Sequence, residues 1–246
     1  MVPEKQINEF VTRLRQSSGE NLLSVILYGS AADGEFHPDF SNINLLCLLR
    51  ESSFSALTAI APAVEWWTRQ QKHHEPMVLT RDELEHSTDV FSIEILDMQQ
   101  RHRLLFGDDV LAGLKIPMHL HRAQLEYELR EKLILLRERL LLSADNKKHL
   151  WDLLLGSLST FITLFRHGLI ALGETPPKNK RDTVQRLAAR ISFDASAFLQ
   201  LLDIREHKAE TRQFDVADIF SRYLNAVQQV TAAVDKMLDS PGPRGA

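Results

Sequence analysis

The texture of this chain changes at Pro117. Before it, short apolar runs are separated by turn residues; after it, apolar residues recur every three or four positions through long segments. Neither a uniform sheet nor a uniform bundle satisfies both patterns. The sequence therefore predicts an α+β chain: a mixed sheet with flanking helices over 1–116, an all-helical bundle over 117–239, and a disordered tail over 240–246, where the residues read SPGPRGA. Charge divides at the same place. Residues 1–115 carry a net −7 and the remainder +3, for −4 overall.

In the first half, Leu22–Tyr28 (LLSVILY) and Ile43–Leu49 (INLLCLL) are continuous apolar runs of strand length, as expected for strands covered on both faces. Pro76–Thr80 and Phe91–Leu96 read as two shorter strands. Glu4–Ser17 and Phe54–Arg69 have helical period, the second with Pro62 expected to kink or split it. Thr80-Arg81-Asp82-Glu83 has the form of a capping box. Asp97 is placed to cap a helix running to Phe106 and ended by Gly107.

In the second half, helices are predicted over 122–142, 150–172, 183–191, 195–206 and 216–238, with Asp194 and Asp215 capping the last two. Leu125, Leu129, Leu133, Leu136 and Leu140 form one stripe. The segment 150–172 is apolar nearly all round, which suits the central helix of a bundle. Its most apolar part, Leu153–Phe165, is shorter than the ~20 residues a bilayer requires, so no membrane partner is expected.

Composition excludes several classes of function. Cys47, the single cysteine, rules out a disulfide framework and suits a reducing compartment. With no apolar stretch over Met1–Phe10 to read as a signal peptide, a cytoplasmic location is expected. The acidic balance gives no general reason to bind nucleic acid. The ten histidines show no helical i,i+4 pair with an acidic third ligand, and no metal site is assigned from them. Lys178, Lys180, Arg181, Arg186 and Arg190 form a basic cluster that suits either a solvated helix face or an anionic substrate. Trp66 and Trp67, being adjacent, cannot both face inward on one regular helix. A homodimer through this pair and the helical half is one expectation.

The informative segment is Leu27-Tyr28-Gly29-Ser30-Ala31-Ala32, with Ser41-Asn42-Ile43-Asn44-Leu45 following in the second strand. Gly29 lets a ligand phosphate approach the backbone, and Ser30 with the turn after it offers donors to an anion. Strand period two sets Asn42 and Asn44 on one face with Ile43 behind, and a neighbouring Phe91–Leu96 strand would add Ser92 and Glu94.

A strand ending in Gly-Ser, then a strand opening polar–apolar–polar, resembles the nucleotidyltransferase fold of the DNA polymerase β superfamily. The likeness runs over about Leu22–Leu49, and more loosely to Phe91–Leu96. The second half resembles, in architecture alone, the helical-bundle domains of kanamycin nucleotidyltransferase and of HEPN-type partners. The resemblance implies a nucleoside triphosphate ligand at Gly29 and Ser30, an unidentified acceptor, and catalytic carboxylates at 42, 44 and 94 holding Mg²⁺. This chain keeps Glu94 but carries Asn42 and Asn44. Mg²⁺ normally needs anionic oxygen, so Mg²⁺ is expected only if catalysis survives. Asp33, where related sequences often carry Arg, adds repulsion toward a triphosphate. Three readings follow: a degenerate nucleotide-binding or regulatory member, an active enzyme transferring a nucleoside monophosphate, or a non-enzymatic interaction protein.

Overall fold

The computed structural model describes residues 2–38 and 40–239; the expected tail over 240–246 lies outside them. The chain divides into two compact units, one up to Met118 and one from His119 on.

In the first unit, α1 (Glu4–Ser18) leads into β1 (Leu22–Tyr28), followed by β2 (Asn44–Leu49), α2 (Phe54–Glu65), a π turn (Trp66–Gln70), β3 (Met77–Thr80), α3 (Arg81–His86), α4 (Ser92–Gln100) and β4 (His102–Gly107). The strand order is β3-β2-β1-β4. β1 runs antiparallel to both β2 and β4, and β2 and β3 are parallel, joined through α2. Both faces of the central pair are covered, which is why their sequences are apolar without alternation. On one face Val25, Leu27, Leu45, Cys47 and Leu49 pack with Ile7, Phe10 and Leu14 of α1 and with Ile60 of α2. On the other, Ile26, Leu46 and Leu48 meet Leu84, Ile95, Met98 and Leu111.

Two predicted elements exchange identities. Phe91–Leu96 is not a strand: Ser92–Gln100 is helical, with Ile95 and Met98 turned to the sheet. Asp97 lies inside that helix, where its carbonyl accepts from the Arg101 N–H at 3.1 Å, so it is not a cap. The segment expected to be helical to Phe106 instead supplies edge strand β4, and Gly107 ends a strand. At φ 77°, a Cβ on Gly107 would stand 1.8 Å from the Leu23 carbonyl oxygen. The pairing of β4 with β1 skips Leu105, and this bulge breaks the alternation of the strand, leaving Arg103 and Leu104 both exposed.

The capping box forms as read, with the Thr80 hydroxyl accepting from the Glu83 N–H at 3.1 Å and Glu83 accepting from the Thr80 N–H at 2.7 Å. α2 passes through Pro62 unbroken and gives way four residues later to the π turn. That turn sinks Trp67 completely, against Phe10 at 4.8 Å between ring centroids, with its indole N–H donating to the His74 carbonyl at 2.9 Å. Trp66 is half-buried beneath the Arg13 guanidinium, 4.5 Å from its ring centroid. The pair thus divides as adjacency predicts, Trp67 enclosed and Trp66 only half-buried.

The second unit consists of α5 (His121–Leu141), α6 (Lys147–Ala171), α7 (Lys180–Ile191), α8 (Ser196–Arg205) and α9 (Val216–Asp239). α6 starts earlier than its apolar run because Asn146 caps it, accepting from the Lys148 and His149 N–H groups at 3.0 and 3.2 Å. Asp194 and Asp215 accept from the Ser196 and Ala217 N–H groups as expected. α6 is long and apolar enough to cross a membrane by length and composition, unlike the shorter run read from sequence. Its window is 56% buried inside the protein, and it packs against the four other helices. An aromatic row of Phe165, Phe198, Tyr223 and Phe161 fills the bundle.

His167 is also inside this bundle, 1% exposed, with the His121 ring 5.1 Å away. Burial, reinforced by the nearby charges of His121 and Arg166, lowers its pKa from 6.5 to about 3. The folded chain thus keeps this imidazole neutral while the unfolded chain protonates it below pH 6.5. Its contribution to stability is full above that pH and falls as pH drops toward 3. Urea denaturation of the intact chain should show a shallower loss of stability between pH 6.5 and 4.5 in His167→Gln than in the wild type.

Candidate functional site

The candidate site lies where β1 ends. Tyr28, the last residue of β1, is paired with Asn44 of β2 on one side and His102 of β4 on the other. Paired residues of antiparallel strands share a face, so Asn44, Tyr28 and His102 form a row across the sheet. Gly29 follows at φ 77° and opens a tight 3-10 turn, Gly29–Ala31. A Cβ on Gly29 would meet Asn44 Nδ2 at 3.3 Å, so the Asn44 amide rests against the bare glycine backbone.

The predicted residues fall as follows. Gly29, Ser30 and Asn44 gather at this strand end, with Ser30 half-buried in the turn. Asn42 is exposed and lies two residues ahead, outside β2, with Ile43 buried between it and Asn44. Glu94 reaches the region from the first turn of α4 and not from a strand. The Tyr28 hydroxyl has a raised pKa because of burial first, then the Glu94 charge, then Cys47. Ser92 is fully buried. Cys47 is buried too, and burial pushes its thiol up to about 12, as befits an inert core residue.

The turn's donors are not all available to a ligand. The Gly29 N–H donates to the Arg101 carbonyl at 2.9 Å and the Ala32 N–H to the Gly29 carbonyl at 2.9 Å.

Two features were not anticipated. Arg101, between α4 and β4, ties down the loop after the turn: its Nε donates to Asp33, and its Nη2 donates to Glu35 at 2.8 Å. Burial opposes the guanidinium charge, but Asp33 and Glu35 outweigh it and raise its pKa. The repulsion expected from Asp33 is thus met inside the protein. The second feature is His102, whose Nε2 lies 3.0 Å from Asp109, while its Nδ1 lies 3.1 Å from the Gln99 carbonyl. Asp109 is lowered in pKa chiefly by that bond. Neither residue belongs to a sequence motif; each partner is brought in by β4, the strand read as a helix.

The donor set does not suit Mg²⁺. Asn42 and Asn44 contribute neutral amides, and no group of three or more His, Cys, Asp or Glu able to hold a metal occurs among the described residues. In the basic cluster, Arg181 pairs with Asp203 and Glu206 at 2.7 and 3.0 Å, while Arg186 and Arg190 both reach Glu174 at 3.1 Å. These three cations are engaged within the chain.

No protein-family model and no curated protein matches this chain. Among solved structures it is similar to the crystal structure of spectinomycin adenyltransferase AAD(9) from Enterococcus faecialis with ATP and spectinomycin. The TM-score is 0.55 at 14% identity, covering 96% of this chain and 99% of that one. At this identity the likeness is one of fold. The likeness takes in the mixed sheet and the helical region after it, as the sequence predicted.

The clamp on the loop is testable. Arg101→Met leaves two partly exposed carboxylates without their shared cation and should destabilise the chain by about 2 kcal/mol in urea denaturation. Glu35→Gln, which keeps the Arg101–Asp33 bond, should cost about 1 kcal/mol.

Proposed function

We propose that this protein binds a nucleotide at the Gly29–Ser30 turn without metal and is a degenerate, non-catalytic member of the nucleotidyltransferase fold. The observation that carries this reading is Asn44, whose amide lies against Gly29 at a position where the resemblance calls for a carboxylate. A carboxylate repels a phosphate and needs a bridging cation. An amide Nδ2 donates to a phosphate oxygen directly. The same substitution that removes metal affinity therefore supplies a phosphate donor, with the Ser30 hydroxyl beside it. Replacing two carboxylates by amides takes away two formal charges at roughly 2 Å from a bound Mg²⁺.

The choice of ATP as the nucleotide is supported by the structural neighbour, which was crystallised with ATP and spectinomycin. The acceptor position in this chain is not assigned. A regulatory role, in which the chain reports nucleotide by binding it, fits a cytoplasmic protein that keeps the fold and drops the metal.

Isothermal titration of the intact chain with ATP tests the reading. Binding should be equal in EDTA and in excess Mg²⁺, and no nucleotidyl transfer should accompany it. The double variant Asn42→Asp, Asn44→Asp should bind about tenfold or more weakly in EDTA, with Mg²⁺ restoring affinity. Wild-type binding that needs Mg²⁺ would favour the active enzyme instead, and the absence of any ATP binding would leave the interaction-protein reading.

A further inference from the structure

Helix α5 is apolar on two opposite sides. Its inner side, with Leu125, Leu129, Leu133 and Leu136, is buried against α6 and α9. Its outer side carries Tyr127, Ile134 and Leu141, spaced seven residues apart and 64, 52 and 80% exposed. At about 100° per residue these three fall within roughly 20° of a single line along the helix. Charges flank that line asymmetrically: Arg130 and Arg137 on one side, Glu131 and Glu138 on the other. A solvated face would gain nothing from three large apolar side chains in register.

We propose that this outer stripe is a homodimer surface, on which α5 of one subunit packs parallel to α5 of a second copy about a two-fold axis along the helices. The charge pattern selects both the partner and the direction. When two identical helices meet face to face in parallel, the two-fold sets the arginine flank of each against the glutamate flank of the other. In the antiparallel arrangement like flanks meet, arginine against arginine and glutamate against glutamate. Parallel packing stacks Tyr127, Ile134 and Leu141 each on its own copy and brings Arg137 to Glu138 of the partner subunit. Arg130 and Glu131 join this pattern less strongly, because they already hold partners within the chain. Arg130 reaches Glu126 at 2.5 Å and Asp235 at 3.0 Å, and Glu131 accepts from Lys132 at 2.6 Å. The surface belongs wholly to the helical unit and requires nothing of the nucleotide reading.

Sedimentation of the full chain over a range of concentrations, with circular dichroism to verify folding, gives the test. The wild type should dimerise at micromolar concentration, on the order of 1–10 μM. Ile134→Asp, an exposed substitution, should keep the fold and weaken dimerisation about tenfold or more. Arg137→Glu should weaken it as well, by setting glutamate against Glu138 of the partner subunit, and Arg137→Glu with Glu138→Arg should restore it. Tyr127→Cys should cross-link two copies by an oxidised disulfide without interference from Cys47, which is buried. A chain that stays monomeric at every concentration, or a dimer unaffected by Ile134→Asp, would overturn the proposal. So would an Arg137→Glu variant that dimerises more tightly, since that is the antiparallel signature.

Discussion

The pairing of Tyr28 with Asn44 across β1 and β2 is the contact on which the rest of the molecule turns. Its register is fixed from both sides, because a shift of one residue would exchange the two covered faces of the central strands. With that register set, the chain leaving β1 must turn at Gly29, and the side chain that rests there is an amide. The apolar packing of Ile26 and Leu46 against α4 then brings Glu94 to the same strand end. Local polarity at the site is thus a by-product of how the core is packed.

The site's electrostatics differ from those of a metal-dependent transferase in a definite direction. Asn42 and Asn44 are neutral, and Arg101 offsets one of the two charges that Asp33 and Glu35 carry. What remains at the strand end is the Ser30 hydroxyl and the Asn44 amide, with Glu94 an acid whose charge reaches Tyr28.

Much of this arrangement is legible directly. The runs LLSVILY and INLLCLL are strands because nothing polar interrupts their apolar core, and the Gly-Ser after the first is a turn because the strand has to leave the sheet. The capping box at Thr80–Glu83 and the caps at Asp194 and Asp215 are local chemistry, and local chemistry is written in neighbouring residues. The misreadings have physical causes as well. In Phe91–Leu96, Ile93, Glu94 and Ile95 alternate as a strand would, yet Ile95 and Met98 are spaced for a helix, and packing on the sheet decides between the two. β4 lacks alternation because a bulge at Leu105 interrupts its pairing with β1. Reading that strand as a helix hides the roles of Arg101 and His102. Arg101 finds its carboxylate 68 residues away, and the place of His102 beside Tyr28 depends on strand pairing that no local pattern encodes. Trp66 and Trp67 follow from adjacency alone: neighbours on a helical turn cannot both face inward, and only Trp67 is fully enclosed.

The clamp of Asp33 and Glu35 on Arg101 has a bearing on how the molecule would sit in a cell. A guanidinium stays protonated across the whole physiological range. Built into the polypeptide, it cannot be titrated out, sequestered by a chelator or diluted when free magnesium falls. The loop after the turn is therefore held in the same place whatever the supply of divalent ions, because its fastening is a covalent part of the chain.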